Sequence, residues 1–170
     1  MLLNYLKIKG YLDELNGFLI KKGDLWSLYD NNPTDFVLDG KFFVQNKFIL
    51  NKKSREDDYD FIKEQVYLLK ISGKKDLFND IDLNSTLAIF NFFKSNQNIK
   101  LVGIQIKKEN VMYIGRVSKV CEKSVYIQLL SVNAKWLKVE NFRYDEIRLV
   151  FIDTDYLNSL VMYLKYNNKI

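Results

Sequence analysis

The sequence predicts a mainly β (α+β) protein made of two small five-stranded barrels, a connecting helix and a C-terminal helix. Three observations carry that expectation. Short apolar and aromatic segments alternate with Gly, Asn and Asp turns along most of the chain. A strand–turn–strand order recurs in both halves. Only two stretches, near residues 84–95 and 153–166, carry helical spacing with a capping residue in front.

The N-terminal module is expected over 1–75. Gly10, Gly17 and Gly23 punctuate it. Between them, Tyr11 to Asn16 reads as a short helix and Phe18 to Lys22 as a strand. Leu25-Trp26-Ser27-Leu28-Tyr29 is aromatic and strand-like. Asp30 to Asp35, with Pro33 as the single proline, is a turn. Phe36-Val37-Leu38, Lys41 to Gln45 and Phe48-Ile49-Leu50 read as further strands. Asn51 to Asp60 is polar and reads as a loop. Val66 to Ile71 suits a strand, although Phe61 to Leu69 also suits a helix.

Ser72-Gly73-Lys74-Lys75-Asp76 marks the module boundary, and 76–99 is the helical connector. Ser85 is placed to cap a helix whose Leu83, Leu87, Phe90 and Lys94 share one side. The C-terminal module is expected over 100–170. Lys100 to Lys107 alternates, with Val102, Ile104 and Ile106 on one face. Met112 to Val120, Ser124 to Ser131, Trp136 to Phe142 and Ile147 to Ile152 complete five strands. Asp153 or Thr154 then caps a helix to about Tyr166, with Tyr156, Leu157, Leu160, Val161 and Leu164 as its apolar face.

Set side by side, the halves repeat. Leu25 to Tyr29 lies opposite Leu101 to Gln105. Phe36 to Lys41 lies opposite Met112 to Arg116, and Val44 to Leu50 opposite Val120 to Ile127. This alignment matches Gly40 with Gly115, and a strand glycine marks a bulge or a barrel corner.

Val102-Gly103-Ile104-Gln105-Ile106, Tyr113-Ile114-Gly115-Arg116-Val117, Val125-Tyr126-Ile127, Lys135-Trp136 and Asp145-Glu146-Ile147 through Asp155-Tyr156-Leu157 carry a family resemblance. They resemble bacterial proteins with Sm-like small-barrel modules in tandem. The likeness covers 101–166 well and 24–71 weakly. In the first copy the aromatic–Gly–basic pattern becomes Leu38-Asp39-Gly40-Lys41, and no Lys-Trp equivalent follows. The resemblance implies a binding role in immunity or defence loci, with a toxin or defence component as protein partner. None of its motifs is catalytic.

Composition narrows the chemistry. The chain has 170 residues, no His, one Cys and one Pro. That excludes a His triad, a His general base, a Cys-built zinc site and an internal disulfide. No cofactor is expected, and no apolar run of membrane-spanning length occurs. The N-terminus lacks the layout of a signal peptide, so the expected compartment is the cytoplasm. The 26 Lys+Arg against 21 Asp+Glu give a net charge of +5, with most of the excess in residues 101–170.

Candidate sites follow from these counts. Glu56-Asp57-Asp58-Tyr59-Asp60 is the most acidic stretch. It reads as a phosphate-mimicking patch that blocks a basic nuclease cleft, as a weak metal site or, more simply, as a solvated loop; it lacks a calcium-loop frame. Trp26 and Trp136 suit core packing. Trp136, with Lys135, Arg116 and Tyr113, also suits a partner-binding anchor. Arg116, Lys119, Lys123, Lys135, Lys138, Arg143 and Arg148 alternate with aromatics. That pattern permits single-stranded nucleic-acid binding, the alternative to a protein partner. Cys121 has lysines nearby but no base to activate it. The reading is a non-catalytic binding protein. An enzyme using carboxylate or Lys chemistry is the remaining class.

Overall fold

A computed structural model of the chain describes residues 3–54, 60, 63, 64, 67, 78 and 80–170. The described strands are β1 (Leu3–Ile8), β2 (Glu14–Lys22), β3 (Trp26–Asn31), β4 (Lys41–Gln45), β5 (Ile49–Ser54), β6 (Val102–Ile106), β7 (Met112–Val120), β8 (Ser124–Leu130), β9 (Trp136–Arg143) and β10 (Ile147–Ile152). A 3₁₀ turn, Asn46–Phe48, precedes β5. Two longer helices follow, α1 (Thr86–Ser95) and α2 (Asp155–Tyr166).

The mainly β expectation holds, but the ten strands form one open antiparallel sheet rather than two closed barrels. Its order is β5-β1-β2-β3-β4-β10-β6-β7-β8-β9. The first five strands and the last five have the same internal order, with the fifth strand beside the first. The two sets meet where β4 pairs with β10, from Leu149↔Val44 to Ile152↔Lys41. The sequence explains the joint. β4 reads Lys-Phe-Phe-Val-Gln and β10 reads Ile-Arg-Leu-Val-Phe-Ile, apolar on both faces. Val150 and Phe43 face a core shared with the C-terminal set, while Leu149, Phe151, Phe42 and Val44 face the core of the N-terminal set. A strand buried on both faces gains by having a partner on each edge as well.

The repeat is real in topology, but its register differs from the one the sequence suggests. Gly17, not Gly40, is the counterpart of Gly115. Gly17 pairs with Asn4 and Asn31; Gly115 pairs with Val102 and Leu129. A Cβ on Gly17 would lie 2.7 Å from the Asp30 carbonyl oxygen, and one on Gly115 would lie 2.2 Å from that of Gln128. In both cases the oxygen belongs to the residue before the third-strand partner. The register then shifts between Leu19 and Lys21, and between Val117 and Lys119, at the same distance past each glycine. Gly40 instead holds a positive φ of 69° in the turn ahead of β4.

Several local expectations change. Tyr11 to Asn16 is a bend running into β2, not a helix. Phe36-Val37-Leu38 is a turn closed by a Thr34↔Val37 bridge, with Phe36 at φ 62°. The polar Asn51 to Ser54, read as loop, continues β5 against β1. Leu3–Ile8 is a strand the sequence reading did not place. Of the segment 61–71, read as strand or helix, Lys63, Glu64 and Tyr67 are helical, and the other residues lie outside the described residues. Ser85 and Thr154 do cap the helices: their hydroxyls accept the Ala88 and Leu157 amides at 3.1 and 3.3 Å.

Three layers of packing hold the sheet. Trp26, Leu28 and Phe43 share a core with Phe78, Ile81, Leu83, the α1 residues Ile89, Phe90 and Phe93, and the inner side of β6, β8 and β10. Phe43 meets Phe93 edge-on at 5.1 Å. Leu6, Ile8, Leu15, Tyr29 and Phe48 close the N-terminal core. α2 lays Leu157, Leu160 and Leu164 over Leu101, Leu130 and Ala134.

Candidate functional site

Alternation along β7, β8 and β9 decides which side chains can face a partner. Tyr113, Gly115 and Val117 turn inward, so Arg116 turns outward. On β8, Val125, Ile127 and Leu129 are buried, so Tyr126 and Gln128 share the outward face with Arg116. On β9, Val139 stands opposite Gln128 and Asn141 opposite Tyr126. The register then slips between Gln128 and Leu130, which brings Trp136 opposite Leu130. A bulge of this kind re-aims the side chains before it. It puts Trp136 on the outward face beside Val139, where simple alternation would oppose them.

The structure therefore assembles part of the expected anchor. The Arg116 guanidinium lies 4.5 Å from the centre of the Trp136 ring, within cation–π range. Its Nε and Nη2 both donate to Gln128 Oε1, at 2.9 and 2.7 Å. Trp136 is half-buried against the cluster that holds Leu130 and the α2 leucines, and its indole N–H donates to the Lys169 carbonyl at 3.3 Å. Lys135 is exposed just before β9. Further along the same face, the Lys119 ammonium lies 5.8 Å from the Tyr126 ring.

Tyr113 is not part of this group. It packs on Phe142 at 5.1 Å on the inward side, and its hydroxyl donates to the Glu109 carboxylate. That bond, before any effect of burial, pushes its pKa up. Glu56, Asp57 and Asp58 lie outside the described residues. Trp26 is fully buried, and its indole N–H donates to Thr86 Oγ1 at 2.8 Å, tying β3 to α1.

Arg148 overturns its reading as a surface cation. It is 0% exposed, because β10 lies inside the joint. Its Nη1 donates to the Lys9 carbonyl at 3.1 Å, and its Nη2 to the Glu109 carbonyl at 3.1 Å and Asn110 Oδ1 at 2.8 Å. One guanidinium thus clasps the β1–β2 turn of one set to the β6–β7 turn of the other. Burial pushes its pKa down, with Tyr11 opposing.

The remaining basic residues are paired locally or point elsewhere. Lys138 donates to Glu140 at 2.7 Å on the exposed rim, and Arg143 to Asp145 at 3.0 Å. The latter bond lowers the Asp145 pKa and raises that of Arg143. The strand residues of the outward β7–β9 face include no carboxylate. Among the described residues, Arg116, Lys119 and Lys135 make no ion pair. The sequence contains the cations but does not show which share a face. Cys121 is half-buried, and its carbonyl accepts the Tyr144 hydroxyl at 2.7 Å.

Among the described residues, no three His, Cys, Asp or Glu side chains form a group able to hold a metal ion. Likewise, no described helix is long and apolar enough to cross a membrane. No protein family, no curated protein and no solved structure matches the chain.

Proposed function

We propose that the protein is a non-catalytic cytoplasmic binding factor that neutralises a protein partner, in the manner of an immunity or defence protein. On this reading its two strand sets are duplicated Sm-like modules joined edge to edge. One observation carries the reading: the outward face of β7–β9 is open in the described structure. It presents Trp136, Arg116 and Tyr126 together, while the corresponding face of the N-terminal set is covered. Aromatic and Arg side chains ringed by polar groups suit a protein interface. The test is stoichiometry. Titration with the protein encoded beside it in its genome should saturate at a fixed molar ratio and abolish that protein's activity. Steady turnover of a substrate panel, lost on a single carboxylate substitution, would overturn the reading.

A second reading has its own support. Each aromatic on the open face has a cation beside it, and the strands bring no carboxylate there. A single-stranded nucleic acid uses that combination of stacking and charge. Its mark is oligonucleotide binding that weakens steeply with salt.

A further inference from the structure

The two ends of the sheet differ in how they are finished. At one end lies β5, whose Asn51 to Ser54 are all exposed and include Lys52 and Lys53. Lysines on an edge discourage another strand from pairing. At the other end lies β9, with β8 along one side and no strand along the other among the described residues. β9 is blunted less: its Lys138 is neutralised by Glu140 at 2.7 Å, and its register slip is confined to its start, between Trp136 and Val139. Leu137 and Val139 are each 48% exposed. Val132, in the turn before it, is 79% exposed.

The chain itself shows what this position receives. β4 is the fourth strand of the N-terminal set, as β9 is of the C-terminal set. The outer edge of β4 is filled by β10, antiparallel and in regular register over four residues. The fold therefore already uses a fourth-strand edge as a seat for an added strand.

Charge selects the occupant. Arg116 aims two N–H groups at a single neutral amide oxygen. A carboxylate would accept them as stronger, charge-assisted bonds. Lys119 and Lys135 border the same face without an ion pair among the described residues. A second copy of this chain, offering β5, would bring Lys52 and Lys53 to an already basic edge. Like charges across strands disfavour that pairing.

We propose that β9 takes up an extended, acidic segment of the partner protein as an eleventh strand. Backbone hydrogen bonds along the free edge supply affinity. Apolar side chains of the segment lie against Leu137 and Val139, and its carboxylates meet Arg116 and Lys135. This deepens the binding reading above and rests on it.

The test uses labelled peptides and the full chain. The probes are a peptide of alternating Val and Glu, a scramble of the same composition, a Val–Lys counterpart and a single-stranded oligothymidine. The Val–Glu peptide should bind and slow hydrogen exchange at β9 amides, leaving β3 unchanged. The scramble and the Val–Lys peptide should bind about tenfold more weakly or worse. Arg116→Gln and Val139→Lys should each weaken binding about fivefold or more, while lowering the thermal midpoint by no more than about 4 °C.

Equal binding of the scramble, or binding without β9 protection, overturns the proposal. So does self-association that protects β9, or oligothymidine binding with no response to the peptide. A fixed-ratio complex with the genomic neighbour that leaves β9 exchange unchanged overturns this edge alone and leaves the binding reading standing. Substrate turnover removes both.

Discussion

The outward faces of the two strand sets occupy equivalent places and have opposite fates. Counting from Gly17 and Gly115, Phe18, Leu28 and Phe43 correspond to Arg116, Tyr126 and Asn141. The first three are fully buried; the second three are exposed or half-exposed. Leu28 and Phe43 are covered by α1 with Phe78, Ile81 and Leu83, and Phe18 by Leu3, Tyr5 and Leu38. No described element covers the C-terminal counterpart beyond α2, which stops at Trp136. The same five-strand order thus supports either a buried joint or an open surface. The choice lies in which side chains the second, third and fourth strands turn outward.

Substitutions can break this comparison, beginning with the largest effect. Phe43→Ala should cost about 3–5 kcal/mol, while Asn141→Ala at the matching place should stay within about 0.5 kcal/mol. Urea unfolding of the two variants measures the contrast. If they cost the same, the two faces are not differently covered. Arg148→Met leaves two backbone carbonyls and the Asn110 amide oxygen without their donor. A loss of about 2–3 kcal/mol is expected, read in the same denaturant titration.

Gly17→Ala and Gly115→Ala sharpen the equivalence itself. Each forces a methyl group against a backbone oxygen, so each should destabilise by about 1–3 kcal/mol, Gly115→Ala the more. A neutral outcome at either would remove the match between the second strands. Tyr144 offers a pH test. Burial, helped by Cys121, pushes its pKa up to about 12, above the ordinary tyrosine value. The raised folded value means its contribution is intact below pH 10 and is lost as the pH rises toward about 12. Tyr144→Phe should flatten the fall in stability over that window. The smallest effect is at the open face: Arg116→Ala should cost about 0.5–1 kcal/mol through loss of the Trp136 stack, measured by thermal melting.

Most elements were legible in the sequence because their signals are local. The spacing of β7, β10 and both helices, and the two hydroxyl caps, needed only neighbours a few residues away. β1 escaped because Leu3 and Tyr5 share one side while Leu6 and Ile8 share the other, so no clean alternation appears. Missing that strand, and taking Phe36-Val37-Leu38 as one, displaced the repeat by two strands and paired the wrong glycines. Leu38 is apolar for another reason: it packs over Phe18 from a turn.

The candidate surface was legible as composition but not as geometry. In the sequence Trp136 and Arg116 are an aromatic and a cation twenty residues apart. Their stack depends on a one-residue slip opposite Leu130, which no residue type announces. Arg148 was misread because its partners, Lys9, Glu109 and Asn110, come from distant turns.

The β4–β10 joint also imposes an order in time. Val44 pairs with Leu149, about a hundred residues later in the chain. At ribosomal rates of about 5–20 residues per second, β4 is made several seconds before its neighbour exists. During that interval Phe42 and Phe43 sit on a strand whose outer edge is vacant. The growing N-terminal set thus keeps an unpaired apolar edge until the last strand emerges. Substitutions in β10 should consequently appear first as aggregation during synthesis and only later as a lowered melting point.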